Sequence, residues 1–328
     1  MTASEEVIAD LLSETPLLAR TLAKLARGVP SDMAADLQTI EIEFELQETC
    51  ARTHCYSFNV DGMGNPRVSQ LITAVCERVT DYAIPRGRIL EAMEHHRRSG
   101  STAALVRLAN EARALFTRLT STGEGGELLL FCMAESLLGY PQLLTKMSLK
   151  TASGVHYHGC DAVHASADER TGALKLWWGE AKLHASAAAA TTKCLKDLAP
   201  YLIEPNTPLA RRDRDLTLLR HNMDFADPEL EHAIRTFLDS RHANSNRLAF
   251  GGLCLIGFNH DCYAKDAKSV SADVAAKVAK AVGAWKRHAR TRLLAERLDS
   301  IDLHLFFVPF PSVDDFRLQF RRELGLAS

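Results

Sequence analysis

The 328-residue chain contains no apolar run approaching the ~20 residues that a membrane-spanning helix needs, and so no transmembrane helix is expected. Its first residues, MTASEEVIADLL, are acidic and lack the basic n-region and apolar h-region of a secretory signal. The expected compartment is the cytoplasm. There is no C-x-x-C pair. The eight cysteines, Cys50, Cys55, Cys76, Cys132, Cys160, Cys194, Cys254 and Cys262, are scattered, several inside apolar patterns. Buried reduced thiols are their expected state. Charge of one sign is lacking too: 39 basic residues meet 41 acidic ones, for a net charge of −2. Such a chain has no global attraction to nucleic acid, so a nucleic-acid substrate must be met by local patches or delivered by a partner. What is present, 46% hydrophobic and 24% charged residues, describes an ordinary globular protein. The length allows one large domain or two smaller ones.

One stretch carries chemistry, His158 to Leu183, HGCDAVHASADERTGALKLWWGEAKL. Asp161 stands beside a small apolar run. A turn follows at Asp168–Gly172, and the apolar segment Ala173 to Trp178 then delivers Glu180-Ala181-Lys182. Nineteen residues separate Asp161 from Glu180, enough for two antiparallel strands and their loop. Side chains in a strand alternate between faces, so Glu180 and Lys182 project together while Ala181 turns away. The near-continuous apolar run before them predicts a strand buried on both faces. A glutamate and a lysine buried at the end of such a strand are costly unless paired or bound to a metal. Mg²⁺ is held by one or two carboxylates plus water and can activate a water and polarise a phosphoryl oxygen, while a lysine two residues on can stabilise the transition state. The competing reading is a solvated E-x-K pair at a strand end, with Asp161 a turn residue.

Along the rest of the chain, Ile40, Ile42, Phe44 and Leu46 alternate with Glu41, Glu43 and Glu45 and predict a half-exposed strand. A second is predicted around Tyr56–Val60. Helices follow from Pro66 to about Tyr82, near Gly87–Arg97 and over Ser101–Leu119. Residues 1–120 carry no recognisable chemistry and are expected to form an accessory α+β region. The segment from Glu127 to about Tyr140 is apolar nearly all round and predicts a buried helix. A short strand is expected over Lys146–Thr151. After the Asp161 and Glu180 strands come a helix from Ala185 to about Leu198, a loop or lid between Pro200 and Pro228, a strand over Arg247–Phe258, a helix over Ala272–Leu298, a strand over Ile301–Phe307 and a terminal helix. The class is α/β, a mixed central sheet flanked by helices.

Helix, strand, Asp strand, E-x-K strand, helix, strand resembles the core of the PD-(D/E)xK nuclease superfamily, in which the motif here stands as Cys160-Asp161 and Glu180-Ala181-Lys182, with Cys160 in place of the usual proline. The resemblance implies a restriction-endonuclease-like nuclease domain over residues 121–328. It implies Asp161 and Glu180 as ligands of Mg²⁺, with Mn²⁺ as an alternative, and Lys182 as a catalytic group. A glutamate on the preceding helix often adds a ligand in that superfamily. Glu127 is the choice here, with Glu124 and Glu135 as rivals. The blocks GEGGELLLFCMAE, KMSLKTA, HGCDAVH and GEAKLHASAAAATTKCL, between Gly123 and Leu198, resemble more narrowly the HamA family, the small subunit of Hachiman anti-phage systems. That resemblance implies a DNA nuclease effector paired, as a heterodimer, with a superfamily 2 helicase, HamB. The alternatives are a stand-alone, structure-selective repair or recombination nuclease, and a non-catalytic regulator of a helicase that keeps the nuclease fold.

Other constellations are weaker. Lys150 and His158 are possible phosphate contacts, and Lys146 flanks the same strand. His156, His158 and Cys160, with His164 nearby, could hold zinc on a face turned away from Asp161, and Cys254, His260 and Cys262 form a sparser set. The basic stretch Trp285–Arg292 could hold a DNA backbone or be a solvated helix face. Trp177 and Trp178 are expected in the core.

Overall fold

The computed structural model describes residues 18–116, 123–149, 160–168, 170–203, 211–264 and 268–326. Lys150, His156 and His158 lie outside them. Seven strands follow in chain order: β1 (Leu37–Glu45), β2 (Ala51–Phe58), β3 (Gln142–Leu144), β4 (Ala162–Ala167), β5 (Leu174–His184), β6 (Leu248–Asn259) and β7 (Asp302–Phe310). They form one sheet in the order β1-β2-β7-β6-β5-β4-β3. The inner four, β2, β7, β6 and β5, run parallel to one another, and both margins are antiparallel. This is the mixed sheet flanked by helices that the element order predicts.

The pattern of burial follows from the sequence. Gly251–Phe258 in β6 and Leu303–Phe310 in β7 are buried without alternation, as strands covered on both faces must be. The edge strand β1 is largely exposed instead. On one face, α8 (Ala187–Leu202) follows β5, its N-terminus capped by the Ser186 hydroxyl accepting from the Ala189 N–H. Beside it lies α11 (Ser271–Ala295), whose Trp285 packs edge-on to Phe258 and stacks with Phe307. On the other face lie α7 (Glu124–Leu138) and α12 (Val313–Glu323). Gly126 sets how closely α7 approaches β5: a Cβ there would stand 2.9 Å from Leu183 Cδ1 and 3.4 Å from Ala181 Cβ.

The N-terminal strands belong to the same sheet. β2 pairs in parallel with β7 from Ala51↔Leu303 to Cys55↔Phe307, and α3 (Val68–Glu77) packs against α12. The boundary expected between residues 120 and 121 falls among the undescribed residues 117–122.

Three expectations need correction. The strand expected over Lys146–Thr151 is a 3₁₀ turn, Lys146–Leu149, preceded by the short strand β3. The helix expected from Pro66 to Tyr82 is two, α3 and α4 (Val79–Ala83), joined at Arg78. The loop or lid expected between Pro200 and Pro228 contains a helix, α9 (Arg211–Asn222). Its inward positions Arg212, Asp215, Leu216 and Leu219 have helical spacing, but two of them are charged, which hides the apolar stripe.

Candidate active site

Asp161 sits on the bend that opens β4, and its N–H donates to the Gly179 carbonyl at 2.9 Å. The β4–β5 ladder pairs Ala162 with Gly179 and Val163 with Trp178. The same Gly179 carbonyl takes the Asp161 N–H, so the bend holds Asp161 beside the Gly179–Ala181 stretch of β5. The Asp161 Oδ2 accepts from the Ala181 N–H at 2.7 Å, which fixes its carboxylate against the E-x-K backbone. Glu180 is 4% exposed. Its Oε1 accepts from Lys182 Nζ, and that ammonium also lies 3.3 Å from Asp197 Oδ2 on α8. Lys193, one turn earlier on α8, reaches the other Asp197 oxygen at 2.9 Å. Since Ala181 faces Gly126 of α7, Glu180 and Lys182 face α8, where the Cys194 thiol donates to the Glu180 carbonyl at 3.2 Å.

The electrostatics follow from this crowding. Burial first, and then the neighbouring Asp161 charge, push the Glu180 carboxyl up to about 8, against the downward pull of Lys182. Burial likewise raises Asp161, with Lys182 and the Ala181 N–H opposing it. Burial works to lower Lys182, but the Glu180 and Asp161 charges hold its ammonium above the usual lysine range. Three carboxylates surround Lys182, an excess of negative charge that a dication would relieve. All the donors are oxygens, the set that suits Mg²⁺.

The three helix glutamates part company. Glu135 is committed to structure: its carboxylate accepts from the Arg27 backbone N–H at 2.8 Å, from the Arg27 guanidinium at 3.0 and 3.1 Å, and from the Gln142 N–H at 2.9 Å. Glu127 Oε2 accepts from the Tyr82 hydroxyl at 3.3 Å. Burial, followed by the charges of Glu127, Asp161 and Glu124, drives the Tyr82 hydroxyl well above its usual range. Through Glu127, the Tyr82 hydroxyl contacts the first turn of α7. The helix begins at Glu124, one turn earlier than the apolar pattern implied.

Lys146, which flanks the strand expected before β4, is buried. It is 7% exposed, and its Nζ donates to Asp215 Oδ2 at 3.0 Å and to the Cys160 carbonyl at 2.9 Å. The same Asp215 oxygen accepts from Trp178 Nε1 at 3.1 Å. His164 Nδ1 lies 2.8 Å from the Tyr140 carbonyl on the α7 face, whereas the Cys160 thiol faces Lys146 and Asp215, so no zinc set forms from these two. His260 Nδ1 accepts from the Cys262 N–H at 3.1 Å, as in a turn. Trp177 and Trp178 are core residues, 2% and 0% exposed. In the basic stretch, Lys286 pairs with Glu41, Arg290 with Glu48 and Arg292 with Glu296, which consumes much of its charge within the protein. Tyr82, Asp197 and Asp215 were not picked out in the sequence. Asp197 and Lys193 have i,i+4 helical spacing, the one local trace of their pairing.

A mixed seven-stranded sheet flanked by helices, with an aspartate bonded to the backbone of the E-x-K strand and that strand paired in parallel with the next, is consistent with a nuclease-like α/β core. A family model described as HamA matches residues 35–324. The chain belongs to the HamA family, which makes it a Hachiman defence-associated protein. The match takes in β1, β2 and the helices that follow, well beyond the blocks around the site. No curated protein sequence matches the chain. No helix among the described residues is long and apolar enough to cross a membrane.

Proposed function

We propose that this chain is a Mg²⁺-dependent DNA endonuclease, the effector of a helicase-coupled anti-phage complex in the cytoplasm, with Mn²⁺ as an alternative metal. The observation that carries the proposal is the meeting of Asp161, the buried Glu180 and Lys182, where burial and the Asp161 charge push the Glu180 carboxyl upwards against the pull of Lys182. Asp161 and Glu180 would hold the metal, with Glu127 contributing from α7. When bound, Mg²⁺ would lower the pKa of a water and polarise the scissile phosphoryl oxygen. Lys182 brings a fixed positive charge for the phosphate oxygens as negative charge builds on them. Asp197 positions that ammonium by holding it from α8. Ala181 supplies the N–H that orients Asp161. Lys150 and His158, just before Asp161 in the chain, remain proposed phosphate contacts.

The near-neutral charge supports a subunit that does not capture DNA alone, since phosphate-binding surfaces are usually basic. A superfamily 2 helicase bound as a heterodimer would supply the DNA. The test is plasmid cleavage with Mg²⁺, by this chain alone and with its helicase plus ATP. Cleavage only with the partner, reduced on the order of 10²–10³-fold by Lys182→Ala, is the expected result. Undiminished cleavage by Glu180→Ala and Lys182→Ala would overturn the catalytic assignment. Equal cleavage by the lone chain would favour a stand-alone nuclease. No cleavage in any condition would favour a helicase regulator.

A further inference from the structure

The β1–β2 ladder pairs Glu41 with Cys55 and then Phe44 with Thr53, so Ile42 and Glu43 together oppose the single residue His54. An inserted residue of this kind is a bulge, and it shifts the side-chain alternation by one. In the register before the bulge, Ile42 shares the face of His54; in the register after it, Glu43 does. Glu43 makes the switch with a φ of 50°, a conformation that residues other than glycine seldom adopt. On the other side of β2, His54 pairs with Phe306, which places it on the same face as His304. His54 Nε2 and His304 Nδ1 lie 2.8 Å apart. The Glu43 carboxylate completes a set of ligand atoms that all lie within 4.8 Å of one another, and no other such trio of His, Cys, Asp or Glu occurs among the described residues.

We propose that Glu43, His54 and His304 bind a zinc-class transition-metal ion. Two imidazoles and a carboxylate are a donor set for zinc, which takes a water in the fourth position. Magnesium prefers oxygen alone, so this site differs in chemistry from the acidic cluster on β5. Both rings are buried, at 0% and 1% exposure, while Glu43 is exposed. Burial and then Arg52 lower His54 to about 4, and burial, His54 and Arg52 lower His304 to about 3. The outer nitrogens, His54 Nδ1 and His304 Nε2, have no hydrogen-bond partner among the described residues, so the pair is not part of a wider polar network. Phe306 stacks on His54, and Tyr140 and Trp177 stand edge-on to His304. Arg52, across the ladder from His304, is the charge that opposes a cation, and Glu43 offsets it. A bound ion would fasten the edge strand β1 to β2 and β7 where its own ladder is interrupted.

The full-length protein, stripped with chelator, is titrated with Zn²⁺ by calorimetry and with Co²⁺ by visible absorption. About one equivalent of zinc is expected, with cobalt giving the bands of a four-coordinate imidazole site. Glu43→Gln, a change at an exposed residue, should weaken zinc about tenfold or more, and His304→Gln should abolish the tight site. Binding by Asp161→Asn should match wild type. No zinc bound at saturating concentration would overturn the proposal. So would a tight site that survives Glu43→Gln unchanged, or one lost in Asp161→Asn, which would assign the zinc to the acidic cluster.

Discussion

Two charged clusters lie side by side where β4 begins alongside the middle of β5, and they are built differently. Cys160 and Trp178 border one; their near neighbours Asp161 and Glu180 form the other. In the first, a single ammonium, Lys146, meets a single carboxylate, Asp215, and the indole N–H and the Cys160 carbonyl complete the contacts. Burial works to lower Lys146, but Cys160 and Asp215 keep its ammonium above the usual lysine range. In the second, Asp161, Glu180 and Asp197 crowd one half-buried ammonium, and Glu180 is pushed up to about 8. The first cluster is balanced and holds the chain in place; the second carries an acid too many. Burial alone does not distinguish a lock from a site. The balance of charge does.

The widest test of that difference removes one partner from the balanced pair. Lys146→Met leaves Asp215 buried and uncompensated, so stability should fall by about 3–5 kcal/mol in urea unfolding; a loss under ~1 kcal/mol would mean that the pair is not closed. The opposite sign is expected at Glu180. Between its ordinary pKa near 4.5 and about 8, the folded protein keeps a proton that the unfolded chain has released, so stability falls as pH rises through that window. Glu180→Gln should therefore stabilise the protein by on the order of 2 kcal/mol at pH 8 and by almost nothing near pH 4.5. A flat difference across pH would break the contrast. Mg²⁺ should raise the melting temperature of the wild type by the equivalent of about 1.4 kcal/mol at ten times its Kd, with no rise in Asp161→Asn. A rise of equal size in that variant would place the metal elsewhere. The smallest effect is expected from Asp197→Asn: less than about 1 kcal/mol of stability, since its ion pairs are partly solvated. The same change should move the pH dependence at Glu180 downwards, because it removes one of the charges raising that group.

The strand pair that carries the acids was legible because everything needed is local. The turn at Asp168, the apolar run of β5 and the E-x-K parity all lie within the stretch from Asp161 to Lys182, and the antiparallel ladder follows from them. The central strands were legible for the same reason, since runs such as Leu253–Phe258 admit few alternatives. Tyr82 and Asp197 were not, because neither shares a periodic pattern with Asp161; packing across the sheet brings them in. The pairing of Lys146 with Asp215 was not legible, because the two lie 69 residues apart. The parallel pairing of β2 with β7 was invisible as well: alternation predicts a strand, but not which strand it will lie beside. The family match from residue 35 agrees with that pairing, for it includes the N-terminal strands with the rest.

The position of β7 has a consequence in time. It is the last strand in the chain, yet it lies in the sheet between β2 and β6. As a ribosome makes the protein, the β1–β2 hairpin emerges first and has no neighbour to join until β7 appears. At ~5–20 residues per second that interval is roughly 10–50 s. Throughout it, an exposed strand edge must be kept from other chains, and the halves of the sheet stay apart. The acids of β4 and β5 are all synthesised well before the sheet that holds them is whole, so the finished arrangement comes into being only near the end of synthesis.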